Sequence, residues 1–116
     1  MRRWTLTTRV SGKVERERFD SLRDAVDALE RNGHRLQGQA DADVVGGSLM
    51  RRYEPGDQVT ARLEISGRRL RTGVDVRGDG RAVPFTGRLV RGEIARDEGE
   101  NAYEALRRSL GDLLAE

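Results

Sequence analysis

The side chains able to do chemistry are few in this chain, and its single histidine, His34, is the first to weigh. A lone histidine needs a nucleophile to activate or further ligands to share a metal with. No serine lies in the Gly-x-Ser-x-Gly elbow that would present one. Cysteine is absent, which removes thiolate nucleophiles, thiolate metal sites and disulfide frameworks together. His34 directly follows Asn32-Gly33, a pair that reads as a helix stop. Its expected role is a favourable charge beside a helix C-terminus.

Asp41-x-Asp43 with Gly46 invites a calcium-loop reading, but such a loop needs an oxygen ligand at its fifth position and Glu at its twelfth. Val45 and Arg52 stand there, so a solvated loop is expected instead. Gly78-x-Gly80 lacks the third glycine and the following helix of a dinucleotide site, and Gly46-Gly47 lacks the Lys-Ser/Thr of a phosphate loop. The carboxylates of Asp97-Glu98-Gly99-Glu100 fall on a polar connector, without the burial that raises a catalytic pKa. The sequence therefore nominates no catalytic, cofactor-binding or metal-binding residue.

Arginine is what remains. Of 22 basic residues only Lys13 is not Arg, a skew expected first of a GC-rich genome. Its distribution carries more than its amount. Residues 1–18 hold six basic and two acidic groups, and residues 58–92 hold eight and three; residues 93–116 reverse this with three and seven. The expected sheet is thus basic where the expected helices are acidic. Arg62, Arg69, Arg71, Arg77 and Arg88 fall opposite the aliphatic positions and are expected to share the open face of the sheet. They are the candidate phosphate contacts of a nucleic-acid-binding face. The competing account is a solvated sheet face on which arginine alternates with Glu64 and Asp75, and no aromatic platform for stacking bases is evident.

The elements that must carry these residues follow from periodicity. Trp4, Leu6, Thr8 and Val10 alternate with polar partners as a half-buried strand does. Ser11-Gly12 supplies a tight turn into a charged return strand over 13–19, suited to an edge. Ser21 and Asp24 have capping-box spacing, and Leu22, Ala25, Val26 and Leu29 form one apolar stripe, so a helix is expected over 21–32. Residues 34–57 show no sustained period beyond a short strand at Leu49–Tyr53 and a turn at Glu54-Pro55-Gly56-Asp57. Val59, Ala61, Leu63 and Ile65, then Leu70, Val74 and Val76, then Val83, Phe85 and Leu89 make a meander over 58–91, with Pro84 placing its last strand locally at an edge. Asn101 and Glu104 cap a final helix over 102–115, whose buried face is Tyr103, Leu106, Leu110, Leu113 and Leu114. Glu104 and Arg108 are expected to pair across one turn.

The fold class is α+β: a two-layer, mostly antiparallel sheet of five to six strands with two helices on one face, in the order ββα-(β)βββα. At 116 residues the chain has the length of a single domain, 1–116. The opening residues alternate rather than forming a signal-peptide core, and no segment has the apolar length of a membrane helix, so a soluble cytoplasmic protein is expected. The order strand, helix, meander, final helix resembles the βαβββα domain of ribosome hibernation factors. Asn101-Ala102-Tyr103-Glu104-Ala105-Leu106 is similar to the start of their last helix. This resemblance covers at most residues 58–116 and implies a ribosome-binding role; the charged return strand and residues 34–57 depart from that family.

Three functions are carried forward from the sequence. The first is a non-enzymatic binding or protein-interaction domain, self-association through a sheet edge or face included. The alternative is a nucleic-acid or ribosome-binding protein using the Arg-rich sheet face, and the third is an enzyme of unrecognised type.

Overall fold

Residue alternation in the first hairpin is the pattern from which the sheet grows. In the computed structural model, which describes residues 3–45, 58–87 and 92–115 (backbone alone for 41–45), β1 (Trp4–Val10) turns into β2 (Lys13–Phe19) through Ser11-Gly12. Both turn residues have positive φ, 49° and 81°, the signature of the type I′ turn whose twist suits a two-residue hairpin. β3 (Val59–Gly67), β4 (Leu70–Arg77) and β5 (Ala82–Thr86) form the expected meander, and a two-residue β6 (Gly92–Glu93) closes it. The six strands are antiparallel in the order β2-β1-β3-β4-β5-β6. Pro84 sits where its ring does least harm: its carbonyl accepts from the Ile94 N–H on the outer side, so the missing donor faces away from β4.

One face of the sheet is apolar, with Trp4, Leu6, Ala61, Leu63, Ile65, Val74 and Val76 all buried. Two helices cover it, α1 (Leu22–Val45) over β1, β3 and β4 and α2 (Ala102–Leu110) over β4 and β5. The α+β architecture with both helices on one side is the one the sequence predicts.

Three local expectations are corrected. Helix α1 does not stop at Asn32-Gly33 but continues to Val45. Leu29, Gly33, Leu36 and Ala40 are all buried, so the stripe begun by Leu22 keeps its helical period straight through the glycine. Gly33 is there for space: a Cβ on it would overlap the ring and hydroxyl of Tyr103 on α2. His34 consequently lies inside a helix rather than after one, and Asp41 and Asp43 lie on helical backbone rather than in a loop. Helix α2 is also shorter than expected, because Gly111 takes φ 52° and the chain continues as a 3-10 helix over Gly111–Ala115. Leu113 is then exposed, and Gly111 serves conformation rather than close packing. Third, Arg108 does not pair with Glu104. The Glu104 carboxylate accepts from the Asn101 N–H in the capping box, and Arg108 turns to Glu100, Asp97 and the Ala95 carbonyl.

The short strand expected at Leu49–Tyr53, the turn at 54–57, Leu89 and Arg88 lie outside the described residues.

Candidate functional site on the helix-free sheet face

Strand register decides which side chains share the face that no helix covers. Thr5, Thr7 and Arg9 of β1 stand opposite Arg18, Arg16 and Val14 of β2. On their other side they meet Ser66, Glu64 and Arg62 of β3. Arg62 and Glu64 in turn face Asp75 and Gly73 of β4, which pair with Val83 and Phe85 of β5.

Of the five arginines nominated from sequence, Arg62, Arg71 and Arg77 do lie on this face, and each is engaged there. Arg62 donates from Nε and Nη2 to both oxygens of Asp75 at 2.6 and 3.0 Å, a bidentate geometry that favours the charged guanidinium. The hydrogen bond to Asp75 raises its pKa above the ordinary arginine value, against the opposing pull of partial burial. The same guanidinium stands 5.7 Å from the centre of the Phe85 ring, within cation–π range. Phe85 is thus an aromatic residue on the helix-free face, but it is 3% exposed and offers no surface for stacking. Arg71 approaches Glu64 at 3.7 Å and Arg77 approaches Glu93 at 3.9 Å. Arg69 is not on the face at all; it occupies the β3–β4 turn with φ 65°. Arg88 lies outside the described residues.

Three arginines that the sequence argument passed over share this face instead: Arg9, Arg16 and Arg18. All are exposed, and among the described residues none has a carboxylate within ion-pair distance. Arg16 and Arg18 are two residues apart on one face of β2, roughly 7 Å along the strand. Arg9 is the diagonal neighbour of Arg16 across the β1–β2 pair, again roughly 7–8 Å away. Thr7 and Thr5 stand directly opposite Arg16 and Arg18, adding hydroxyls to the row. Glu15 and Glu17 point to the other face of β2, so they do not neutralise it. The signal was present in the alternation Glu15-Arg16-Glu17-Arg18, which assigns both arginines to one face.

The helix side contrasts with this. Arg107 of α2 donates to Asp27 and Glu30 of α1 at 2.8 and 3.0 Å, so acidic groups of the helix layer are spent on joining the two helices. Tyr103 donates to Gln37 Oε1 at 2.6 Å, and Gln37 Nε2 donates to the Gly80 carbonyl at 2.9 Å. His34 lies 3.4 Å from Glu30 and 4.6 Å from the Tyr103 ring centre, at the helix–helix seam. Three surface recesses of about 290 to 310 Å³ are lined without it. Among the described residues no three His, Asp, Glu or Cys side chains gather as a metal site would require, and no helix is long and apolar enough to cross a membrane.

Comparison of the chain with protein-family models, with curated proteins and with solved structures returns no match. The resemblance of residues 58–116 to ribosome hibernation factors therefore gains no support from them, and the function rests on the geometry.

Proposed function

We propose that this chain is a non-enzymatic binding module that presents the β1–β2 half of its helix-free sheet face to a macromolecular partner. One observation carries the reading. The carboxylates of this face pair with the arginines of β3 and β4, while among the described residues no carboxylate lies within ion-pair distance of Arg9, Arg16 or Arg18 on the same side of the sheet. A concentrated row of exposed charge on a helix-free sheet face suits an extended partner rather than an enclosed small molecule.

The test compares faces. In cell extract the full chain should migrate in a complex larger than its own mass. Replacing Arg9, Arg16 and Arg18 with Glu should return it to the position of the free protein, whereas replacing Arg23, Arg31 and Arg35 on α1 should not. If the α1 set releases the partner and the strand set does not, the face is wrongly assigned.

A second reading, addition of a partner strand to the sheet, rests on the outer edge of β2. In a two-residue hairpin the closing pair Val10–Lys13 exchanges hydrogen bonds, so by alternation Val14, Arg16 and Arg18 turn their N–H and C=O groups outward. A second copy is a poor occupant in the two-fold register that uses all seven residues. It would set Arg16 against Arg16 and Glu15 against Glu17, like charges in direct opposition. Self-association, if this edge mediates it, uses a shorter overlap. Arg16→Pro removes an outward donor without touching the β1 ladder, so loss of binding in that variant alone would favour strand addition over the face.

A further inference from the structure

The chemistry of this arginine row narrows the partner. We infer that Arg9, Arg16 and Arg18, with the hydroxyls of Thr5 and Thr7, form a contact site for the phosphate backbone of single-stranded nucleic acid. The inference rests on the reading of this face as the contact surface and adds the class of ligand.

Guanidinium groups are weakly hydrated, permanently charged donors whose planar fork matches phosphate oxygens. Here three of them follow one line, Arg18, Arg16, Arg9, in steps of roughly 7–8 Å. The row continues directly to Arg62, opposite Arg9, but Asp75 holds that guanidinium at both ends and closes the line there. Thr5 and Thr7 flank it with hydroxyls of the kind that commonly contact phosphates. Trp4 and Phe85 are buried, and Phe19, next to Arg18, packs against the core on the helix side, so the row's face offers no aromatic surface to bases and recognition is of the backbone. A flexible single strand can adjust its phosphates to a row that follows the twist of the sheet, whereas a duplex presents its phosphates at fixed positions. Glu15 and Glu17, projecting to the other side of β2, repel a polyanion from that side and leave the helix-free face as its approach.

Three phosphate contacts on a single strand predict a log–log salt slope of about −2, or roughly a twenty-fold loss of affinity between 50 and 200 mM salt. Fluorescence anisotropy of labelled oligouridine titrated with the full chain reads this directly. Arg9→Gln, Arg16→Gln and Arg18→Gln combined should lower affinity at low salt by about ten-fold or more and flatten the slope. The paired change Arg31→Gln with Arg35→Gln on α1, on the other side of the molecule, should leave both nearly unaltered, and circular dichroism checks that each variant is folded. Absence of binding at low salt, or equal binding by the triple variant, overturns the inference. So does a duplex of the same length that binds more tightly. Polyglutamate binding as tightly as oligouridine would also overturn it, assigning the row to an acidic protein. The extract experiment stands apart: a complex released by the strand-face variant, with no oligouridine binding, keeps the face and discards the ligand.

Discussion

Gly33 and Tyr103 show how much a single contact directs in this molecule. The glycine is surrounded by helix on both sides and yet belongs there, because the buried Tyr103 ring packs where its side chain would be. The tyrosine hydroxyl is held by Gln37, so it does not move aside without breaking a hydrogen bond. Gly33→Ala is expected to destabilise the fold by about 1–3 kcal/mol through overpacking, even though alanine is the better helix former. In a Tyr103→Phe background the hydroxyl overlap is gone, and the cost of Gly33→Ala should fall. Denaturant titration of the two single variants and the double variant measures this coupling, and strictly additive losses would refute it. The same pair explains why the helix boundary is not legible in the local sequence. Asn-Gly is a stop by local rules, and only a residue seventy positions later overrides it.

Among the elements, the first hairpin is the most fully written in its own residues. Period-two alternation set its strands, and Ser11-Gly12 set its turn. Ser11 nevertheless sits at φ 49°, a left-handed conformation that asparagine accepts more readily than serine. Ser11→Asn should therefore stabilise the chain by about 0.3–1 kcal/mol, visible as a raised melting temperature, and a lowered one would contradict the turn assignment. Helix α2 was legible at its start, where Asn101 and Glu104 form the expected reciprocal cap at 2.8 and 3.0 Å, and not at its end. The acidic connector before it found a use that composition did not suggest. Arg108 grips Glu100 and Asp97, and its hydrogen bond, followed by the Asp97 N–H, holds the Glu100 carboxyl below its usual pKa.

At the scale of the whole molecule, the two helices and the sheet are joined through the polar line Tyr103–Gln37–Gly80 and the ion pairs of Arg107. Burial, with a smaller contribution from the Glu30 charge, raises the Tyr103 pKa above that of an exposed tyrosine. The folded state therefore keeps a proton that the unfolded chain begins to lose near pH 10. Stability from this group is intact below that pH and declines as pH rises beyond it, since the native state binds more protons there. Urea titrations between neutral pH and the alkaline limit should show the decline, and Tyr103→Phe should make it shallower. An unchanged pH slope in that variant would show that Tyr103 is not the group responsible.

The sequence by itself determined strands β1 to β5, the Ser11-Gly12 turn, the start of each helix and the apolar face; the β3–β4 turn at Arg68-Arg69 and the short β6 came only with the fold. Each feature so determined is encoded by residues within a few positions of one another, through alternation, helical period, caps and turn conformation. It also placed arginine on the helix-free face. Tertiary structure alone decided which arginines of this face are paired, because Asp75, Glu64 and Glu93 reach their partners across strand pairs whose register no local pattern fixes. It likewise decided that α1 runs on to Val45, since the burial of Leu36 and Ala40 and the contact of Gly33 with Tyr103 exist only once both helices lie on the sheet. The basic sheet face read from composition is thus retained, with the charge that no described carboxylate pairs moved from the meander to Arg9, Arg16 and Arg18.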